Sequence, residues 1–280
     1  MNILKIAADG TAFRRANEIG ILMTNPARHD PIRDRYFSII EKAEGYGGLL
    51  FWLSTACSLG TAFIDATSYP RVADWVQIAF VVFVVFMFLL DVLSRFILNP
   101  RALDARLSDF WGKAYDRPLT TESTAGYYNN NEIDALKRAA AQTLESSLCT
   151  RAVLGKMINR FIPFAVLFIT VLVIIVASRA TTMSLVIMIV QLVLAEQIIL
   201  RGVRLVWFKW RCDRIYQQLE QLFALQTPDE SFRILAAVHI TQYEATKAQA
   251  AITLSEKIFL KERQALCIEW EQIKTHLRIR

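Results

Sequence analysis

Four stretches of the chain are apolar on every helical face, whereas the segments between them mix apolar and polar residues with helical spacing. The apolar stretches cover residues 49–64, 75–98, 161–178 and 183–200. A surface helix keeps one polar stripe, and about 20 apolar residues in a helix cross a hydrocarbon core of about 30 Å. The pattern therefore predicts an all-α membrane protein with four transmembrane helices arranged in two hairpins.

The alternative is a soluble bundle in which the same four helices are buried. Their length disfavours it, because the core helices of soluble proteins rarely stay apolar over such long windows. Composition changes the picture in the same direction. The 280 residues are 54% hydrophobic, yet the chain carries a formal net charge of +6, so the apolar residues are concentrated in blocks between charged segments.

Lysine and arginine are unevenly distributed around the predicted spans. The connections after the first and third spans contain only Arg71 and Arg179, respectively, whereas the other flanking segments are rich in basic residues. Positive flanks are retained in the cytoplasm. The distribution predicts that both termini and the middle segment lie in the cytoplasm, and the protein is expected to be of the bacterial inner-membrane type. Its parts are N-terminal helices (1–46), a first hairpin (47–98), a cytoplasmic helical segment (99–160), a second hairpin (161–200) and C-terminal helices (201–280).

Proline and asparagine mark helix ends in the first two cytoplasmic parts. A helix is expected from about Ile32, after Asp30-Pro31, and it should run towards the membrane. A second helix continues the second span after a predicted break at Asn99-Pro100. Asn131 is expected to be the N-cap of the helix that leads to the third span.

The C-terminal part begins with a capping-box pattern. Thr227 is the expected N-cap, Pro228 the first helical residue and Glu230 the capping partner. No proline or glycine follows before His276, which predicts one long helix. A helix of this length should pack against the middle segment, the N-terminal helices or a second subunit.

Enzyme signatures are absent from the sequence. It contains no glycine-rich phosphate-binding loop, no GxSxG and no HExxH, its three histidines are dispersed, and its four cysteines form no CxxC pair. We therefore expect no enzymatic activity, no metal and no cofactor.

Polar residues inside the predicted spans provide the first candidate constellation, which comprises Thr170, Ser184, Gln191 and Glu196. Such residues are costly in lipid unless they are paired or hydrated. One interpretation is that they line a pore, which needs a homo-oligomer, with a tetramer favoured. The alternative is that Glu196 reaches water at the interface, as Arg95 does while paired with Asp91 on its own helix.

The second constellation lies in the middle segment and comprises Tyr127, Tyr128, Asn129 and Asn130, with Arg117, Lys137 and Arg138 nearby in sequence. Aromatic faces can stack on bases, amides can read a base edge, and cations with a helix N-terminus can bind phosphate. This combination favours a nucleotide or short oligonucleotide ligand. The alternative is a tight loop in which the asparagines form turns and a helix cap.

Four short motifs lie between residues 104 and 157: Ala105 to Phe110 (ARLSDF), Ala114 to Leu119 (AYDRPL), the Tyr-Tyr-Asn-Asn run and Leu144 to Ser147 (LESS). With the hairpins on either side, this stretch resembles the cytoplasmic segment of the SMODS-associated four-transmembrane effectors of bacterial anti-phage systems, including the Hailong type. The resemblance implies a partner nucleotidyltransferase. It also implies a membrane channel that is controlled by an oligonucleotide and depolarises the infected cell.

The leading interpretation is a non-enzymatic, homo-oligomeric channel in the lipid bilayer, gated from the cytoplasm by a nucleotide signal. The alternative is a non-conducting membrane scaffold that recruits a cytoplasmic partner through its C-terminal helix. A solute transporter is less favoured because the sequence contains no broken helices or paired half-repeats around the midplane.

Overall fold

The computed structural model describes residues 30–61, 64, 68–178, 184–225 and 227–280, with side chains described except at 59, 171–172, 175–178 and 184–197. These residues form helices and connecting loops, and no strand occurs in the described ranges. The prediction of an all-α protein is confirmed.

The α-helices of the described residues are named here in chain order. They are α1 (Ser38–Gly60), α2 (Pro70–Leu93), α3 (Asn99–Tyr115), α4 (Ala135–Ser178), α5 (Ser184–Ala224), α6 (Asp229–Ala250) and α7 (Glu256–Leu277). A π-helical turn, Arg33–Phe37, precedes α1, and a second, Ser94–Leu98, connects α2 to α3.

The predicted break at Asn99-Pro100 is wrong, because α2, the π-helical turn and α3 form one continuous helical rod. Pro100 has no backbone N–H, and its ring would collide with the carbonyl of Phe96 in a regular α-helix. The wider turn relieves this conflict, and the backbone N–H of Asn99 donates to the carbonyl oxygen of Ser94. The rod therefore links an apolar half directly to a polar half.

Two of the described helical stretches are long and apolar enough to cross a membrane: Pro70–Tyr115 and Ala135–Thr170. Only 11% of the most apolar window of each is buried within the chain. Phe88 and Leu167, for example, are 59% and 64% exposed. This exposure argues against the soluble bundle, whose core helices would be covered. The first and fourth predicted spans, and the orientation of the chain, stay predictions.

What is here called the helical body comprises the described residues of 99–160 and 201–280. Within it α4 packs along α5, and α6 and α7 pack against this pair. Leucines and aromatic residues that are 0–4% exposed fill the space between these helices, including Leu144, Leu148, Leu205, Phe208, Leu219 and Tyr243. Burial of this apolar surface stabilises the body.

The prediction of one long C-terminal helix is also wrong. The chain reverses after Ala250, where Ala251 adopts a left-handed conformation with φ 46°, and α7 begins five residues later. The reversal brings α7 back against α4 and buries Leu266 and Trp270. No glycine marks the turn, so tertiary packing decides it.

The N-cap of α4 is three residues later than expected. Asp134 precedes the helix, and its Oδ1 accepts the backbone N–H groups of Leu136 and Lys137 at 3.0 and 2.9 Å. Asn131 instead donates its backbone N–H to the carbonyl oxygen of Arg280 at 2.6 Å. The prediction of Asn131 as the cap is therefore wrong, and the cap is a carboxylate that complements the helix dipole.

The capping box predicted at the start of α6 does not form. Pro228 occupies the N-cap position without a side-chain hydrogen bond, and Asp229 is the first helical residue. The hydroxyl of Thr227 donates to the carbonyl oxygen of Leu222, at the end of the preceding helix. The hydroxyl of Thr227 thus provides a donor for a carbonyl group in the last turn of α5. No side chain caps the N-terminus of α6.

Candidate ligand-binding site

A cavity of about 430 Å³ opens in the helical body. Its wall is formed by residues 30–41 before and within α1, by α3, by residues 126–129, by α4, by Phe208 of α5, and by α6 and α7 with their connection. Small-molecule sites commonly enclose about 300–1,000 Å³, so this space suits a ligand of mononucleotide size.

Aromatic side chains dominate the apolar part of the wall, namely Phe37, Phe110, Tyr127, Tyr128, Phe208, Tyr243, Phe259 and Trp270. The rings of Tyr127 and Tyr128 meet edge to face, with centroids 4.8 Å apart. Tyr128 also packs edge to face on Phe110. Rings held in this way offer fixed surfaces on which a planar ligand can stack.

Arg106 is the most buried cation of the cavity wall, at 9% exposed. Its Nη2 lies 2.8 Å from Oδ2 of Asp30, and its guanidinium lies over the rings of Tyr127 and Phe37, 4.6 and 5.5 Å from their centroids. Burial by itself lowers the pKa of Arg106, but Tyr127 and Asp30 together raise it above its ordinary value. The group therefore stays charged inside the cavity.

Carboxylates outnumber cations along the wall. The acidic residues are Asp30, Asp34, Glu41, Glu145, Glu244 and Glu256, and the basic residues are Arg33, Arg106, Lys247 and Arg263. Arg33 pairs with Glu41 and Glu256, and Lys247 pairs with Glu244. A ligand with one or two phosphates and several hydrogen-bond donors fits this balance better than a long polyanion does.

Asn129 anchors the loop that carries the two tyrosines. Its backbone N–H donates to Oε2 of Glu145 at 3.0 Å, and its side-chain amide donates to Oε1 of Glu271 at 2.6 Å. Its carbonyl oxygen accepts the indole N–H of Trp270 at 3.1 Å. These contacts fix the loop to α4 and α7.

Two tyrosine hydroxyls remain neutral donors throughout the physiological range. Burial raises the pKa of Tyr128 and that of Tyr243 well above the ordinary value of 10.0. The hydroxyl of Tyr243 is hydrogen-bonded to Oγ1 of Thr150 at 2.9 Å, between α6 and α4.

Comparison with known proteins does not assign a role to the cavity. No family model, no curated protein and no solved structure matches this chain. The resemblance to the four-transmembrane effectors accordingly stays a prediction.

The cavity brings together three of the seven predicted ligand residues, namely Tyr127, Tyr128 and Asn129. Asn130 is not part of its lining, and the nitrogen and oxygen of its side-chain amide are buried without a hydrogen-bond partner in the described structure. Asn129 therefore fixes the loop, and the two tyrosines line the cavity, whereas a ligand role for these residues stays a prediction.

The three predicted cations lie elsewhere in the helical body. Arg117 lines a separate hollow of about 210 Å³ beside α3. Lys137 pairs with Asp229 at 2.9 Å, which joins α4 to α6. Arg138 donates to backbone carbonyl oxygens, including that of Glu132 at 2.8 Å. Lys137 and Arg138 thus have structural partners, and a ligand role for either stays a prediction.

The predicted pore residues are described only in part. Oγ1 of Thr170 donates to the carbonyl oxygen of Val166 on its own helix at 2.9 Å. The side chains of Ser184, Gln191 and Glu196 lie outside those that the structure describes. Asp91 and Arg95 pair on one helix at 2.8 Å, as the alternative interpretation expects of these two residues.

Sequence reasoning missed most of the cavity wall, above all Arg106, Arg263, Tyr243 and Trp270. These residues are up to 164 positions apart in the chain, and no spacing pattern connects them. A signal existed for some members: Arg106 and Phe110 belong to the ARLSDF motif, and Glu145 and Ser146 belong to the LESS motif. Three of the four motifs that carry the resemblance therefore contribute residues to the cavity, whereas AYDRPL contributes to the separate hollow.

Proposed function

We propose that this protein is a homo-oligomeric membrane channel whose opening is controlled by a nucleotide or short oligonucleotide bound in the cavity. One observation carries the proposal: the wall belongs to the same helices as the apolar segments. Arg106 and Phe110 lie on α3, which continues α2, and Thr143 to Val153 lie on α4, which continues into its own apolar half. A ligand that contacts both rods can bias their relative positions by its differential affinity.

The chemistry of the wall supports the ligand class. The half-buried rings of Tyr127 and Phe259 line the cavity and can stack on a base, and Arg106 offers a charged donor for phosphate. Carboxylates such as Glu145 and Glu244 accept hydrogen bonds from base amino groups. The excess of carboxylates favours a nucleotide or a very short oligonucleotide over a longer chain.

We propose that the conducting path is lined by the polar residues of the apolar helices, namely Thr170, Ser184, Gln191 and Glu196. Four helices per subunit enclose little space, so the path requires several subunits, and a tetramer is our preferred assembly. The role in anti-phage defence and the partner nucleotidyltransferase are proposed from the resemblance. The presence of residues from three of its four motifs in the cavity wall supports that link.

Conductance of the purified protein in planar bilayers tests the proposal. Candidate nucleotides should change the current, Tyr127→Leu should weaken the response, and Glu196→Ala or Gln191→Ala should alter the conductance itself. Tyr115→Leu is the matched control, because Tyr115 is 51% exposed and lies outside the cavity. A protein that inserts but never conducts, even with the products of the neighbouring genes, would refute the channel.

A second candidate is the membrane scaffold, which one observation favours. Helix α6 exposes three large apolar side chains, those of Ile234, Leu235 and Val238, at 62%, 42% and 44%. Such a patch is typical of a protein interface. Replacing Ile234 and Leu235 by serine should abolish recovery of a partner and leave the membrane potential unchanged. Truncation is a poorer test, because Tyr243 and Trp270 belong to the core.

A further inference from the structure

The carboxylate of Asp30 accepts hydrogen bonds from two groups at the cavity wall that can bind anions. Oδ2 of Asp30 accepts a hydrogen bond from Nη2 of Arg106 at 2.8 Å, and Oδ1 accepts the backbone N–H of Arg33 at 3.0 Å. Arg33 lies in the first turn of the helix that leads into α1. A guanidinium and a helix N-terminus are the groups with which proteins bind phosphate. Asp30 thus occupies a position suited to an oxyanion.

The guanidinium of Arg106 retains an unused donor. Its Nη1 is buried and has no hydrogen-bond partner in the described structure, although the residue is only 9% exposed and lines the cavity. Oγ1 of Thr253, which also lines the cavity, is likewise buried without a partner in the described structure. A buried donor without a partner is unfavourable, and a phosphate oxyanion can accept from both Nη atoms at once.

The contact between Asp30 and Arg106 also holds the helical turns that precede α1, residues 31–37, against α3. Both side chains are nearly buried, at 9% and 10% exposed. Other ion pairs of the same helix are more open: Arg33 pairs with Glu256 of α7, and Arg35, which is 69% exposed, pairs with Glu122. The most shielded electrostatic contact of this helix is therefore the one that involves the unused donor.

We infer that a phosphate oxyanion of the ligand replaces Asp30 on Arg106, binds both Nη atoms and releases residues 30–37 from α3. The inference rests on the proposed ligand site, but it does not require a pore. The same helix continues into α1, so the replacement also reaches the predicted first span. Asp30 acts in this scheme as a built-in competitor of the ligand.

Binding of adenosine monophosphate and of inorganic phosphate, measured by calorimetry on the full chain in uncharged nanodiscs, tests the competition. Asp30→Asn should tighten binding about tenfold, and Arg106→Gln should weaken it by at least about tenfold. Arg106→Lys, which retains the charge but not the paired donors, should also weaken it. Arg35→Gln should change it less than about twofold, because Arg35 lies outside the cavity lining.

Hydrogen exchange tests the release in the original chain and in Arg106→Gln. The amides of residues 31–41 should exchange faster when phosphate or adenosine monophosphate binds, and they should already exchange faster in Arg106→Gln. Nanodiscs that contain phosphatidylglycerol provide the second arm. Faster exchange in that arm alone would identify a lipid headgroup as the source of the same oxyanion.

Three results would overturn the inference: slower exchange of residues 31–41 on binding, no tightening by Asp30→Asn, or no response in either arm. A channel that opens without accelerated exchange would leave the proposed function intact and remove this switch. Accelerated exchange without conductance would support this switch and contradict the proposed channel.

Discussion

The indole Nε1 of Trp270 donates a 3.1 Å hydrogen bond to the backbone carbonyl oxygen of Asn129. The donor lies on α7, near the end of the chain, and the acceptor lies in the loop before α4. Trp270 is 2% exposed, so this bond is shielded from water. It connects two parts of the cavity wall that are far apart in sequence and holds the loop of Tyr127 and Tyr128 in place.

Trp270→Phe tests this connection. The six-membered ring is retained, but the hydrogen bond and the volume of the pyrrole ring are lost, so we expect the free energy of unfolding to fall by about 1–3 kcal/mol. Amides of residues 127–131 should exchange faster. Urea unfolding in detergent, followed by circular dichroism, measures the first effect. Trp210→Phe is the control, since Trp210 is 55% exposed; an equal loss in both variants would contradict the role of the bond.

Tyr243→Phe removes one partner of a buried pair. Oγ1 of Thr150 would lose its 2.9 Å contact with the tyrosine hydroxyl in a site where both residues are at most 4% exposed. We expect a loss of about 1–3 kcal/mol. Replacing Thr150 by valine as well should recover part of it, which a double-mutant cycle by urea unfolding measures. Strictly additive effects would show that the two residues do not interact.

Gly112→Ala should destabilise the end of α3. A Cβ atom at this position would lie 2.8 Å from the carbonyl oxygen of Arg117, which belongs to the backbone and cannot rotate away. We expect a loss of about 1–3 kcal/mol in thermal or urea unfolding. Gly45→Ala is the matched control, because no atom lies within 4 Å of its Cβ. That variant should gain up to about 1 kcal/mol from helix propensity.

Asp134→Ala should lower stability in a pH-dependent manner. The backbone N–H of Lys137, followed by Arg233, lowers the pKa of Asp134 below its ordinary value of 3.8. The stabilisation is therefore complete above pH 3.8 and is lost as the pH falls through the lower folded-state value. At pH 7 we expect a deficit of about 0.5–2 kcal/mol.

Urea unfolding at several pH values measures this deficit. The difference in stability between the original chain and Asp134→Ala should shrink on acidification below the ordinary carboxylate range. Asp104→Ala is the control, because Asp104 is exposed in the middle of α3. It should change stability by less than about 0.5 kcal/mol at every pH. A deficit in Asp134→Ala that does not depend on pH would contradict an ionised cap.

The helices themselves were accessible from the sequence, because apolar periodicity depends on local residues. This periodicity predicts the all-α class and the start of the first described helix near Ile32. Helix ends were less accessible. Asn131 and Asp134 are both good caps, and the choice between them depends on a tertiary contact, the bond from the Asn131 backbone to Arg280. The reversal at Ala251 likewise depends on what α7 buries.

The cavity was accessible only in the part that is contiguous in sequence. Aromatic and amide residues in a row identified Tyr127 to Asn129, but the cations chosen beside them, Lys137 and Arg138, have structural partners. The place of Arg106 in the cavity wall could not be predicted from the sequence, because it depends on a contact with Asp30, which lies 76 residues earlier. Opposite charges far apart in a chain show no pairing until the helices that carry them are packed.

Helix α4 also has a mechanical property that follows from its length. Its 44 residues form a rod of about 66 Å, at a rise of about 1.5 Å per residue. A tilt of about 5° about a pivot near the cavity would move a point about 40 Å along this rod by about 3.5 Å. Pro163 lies along the rod and leaves the carbonyl of Asn159 without its helical donor, which makes that point the natural bend. The length of α4 converts a small tilt at the cavity into a larger displacement at the apolar end, and a bend at Pro163 would change the size of that displacement.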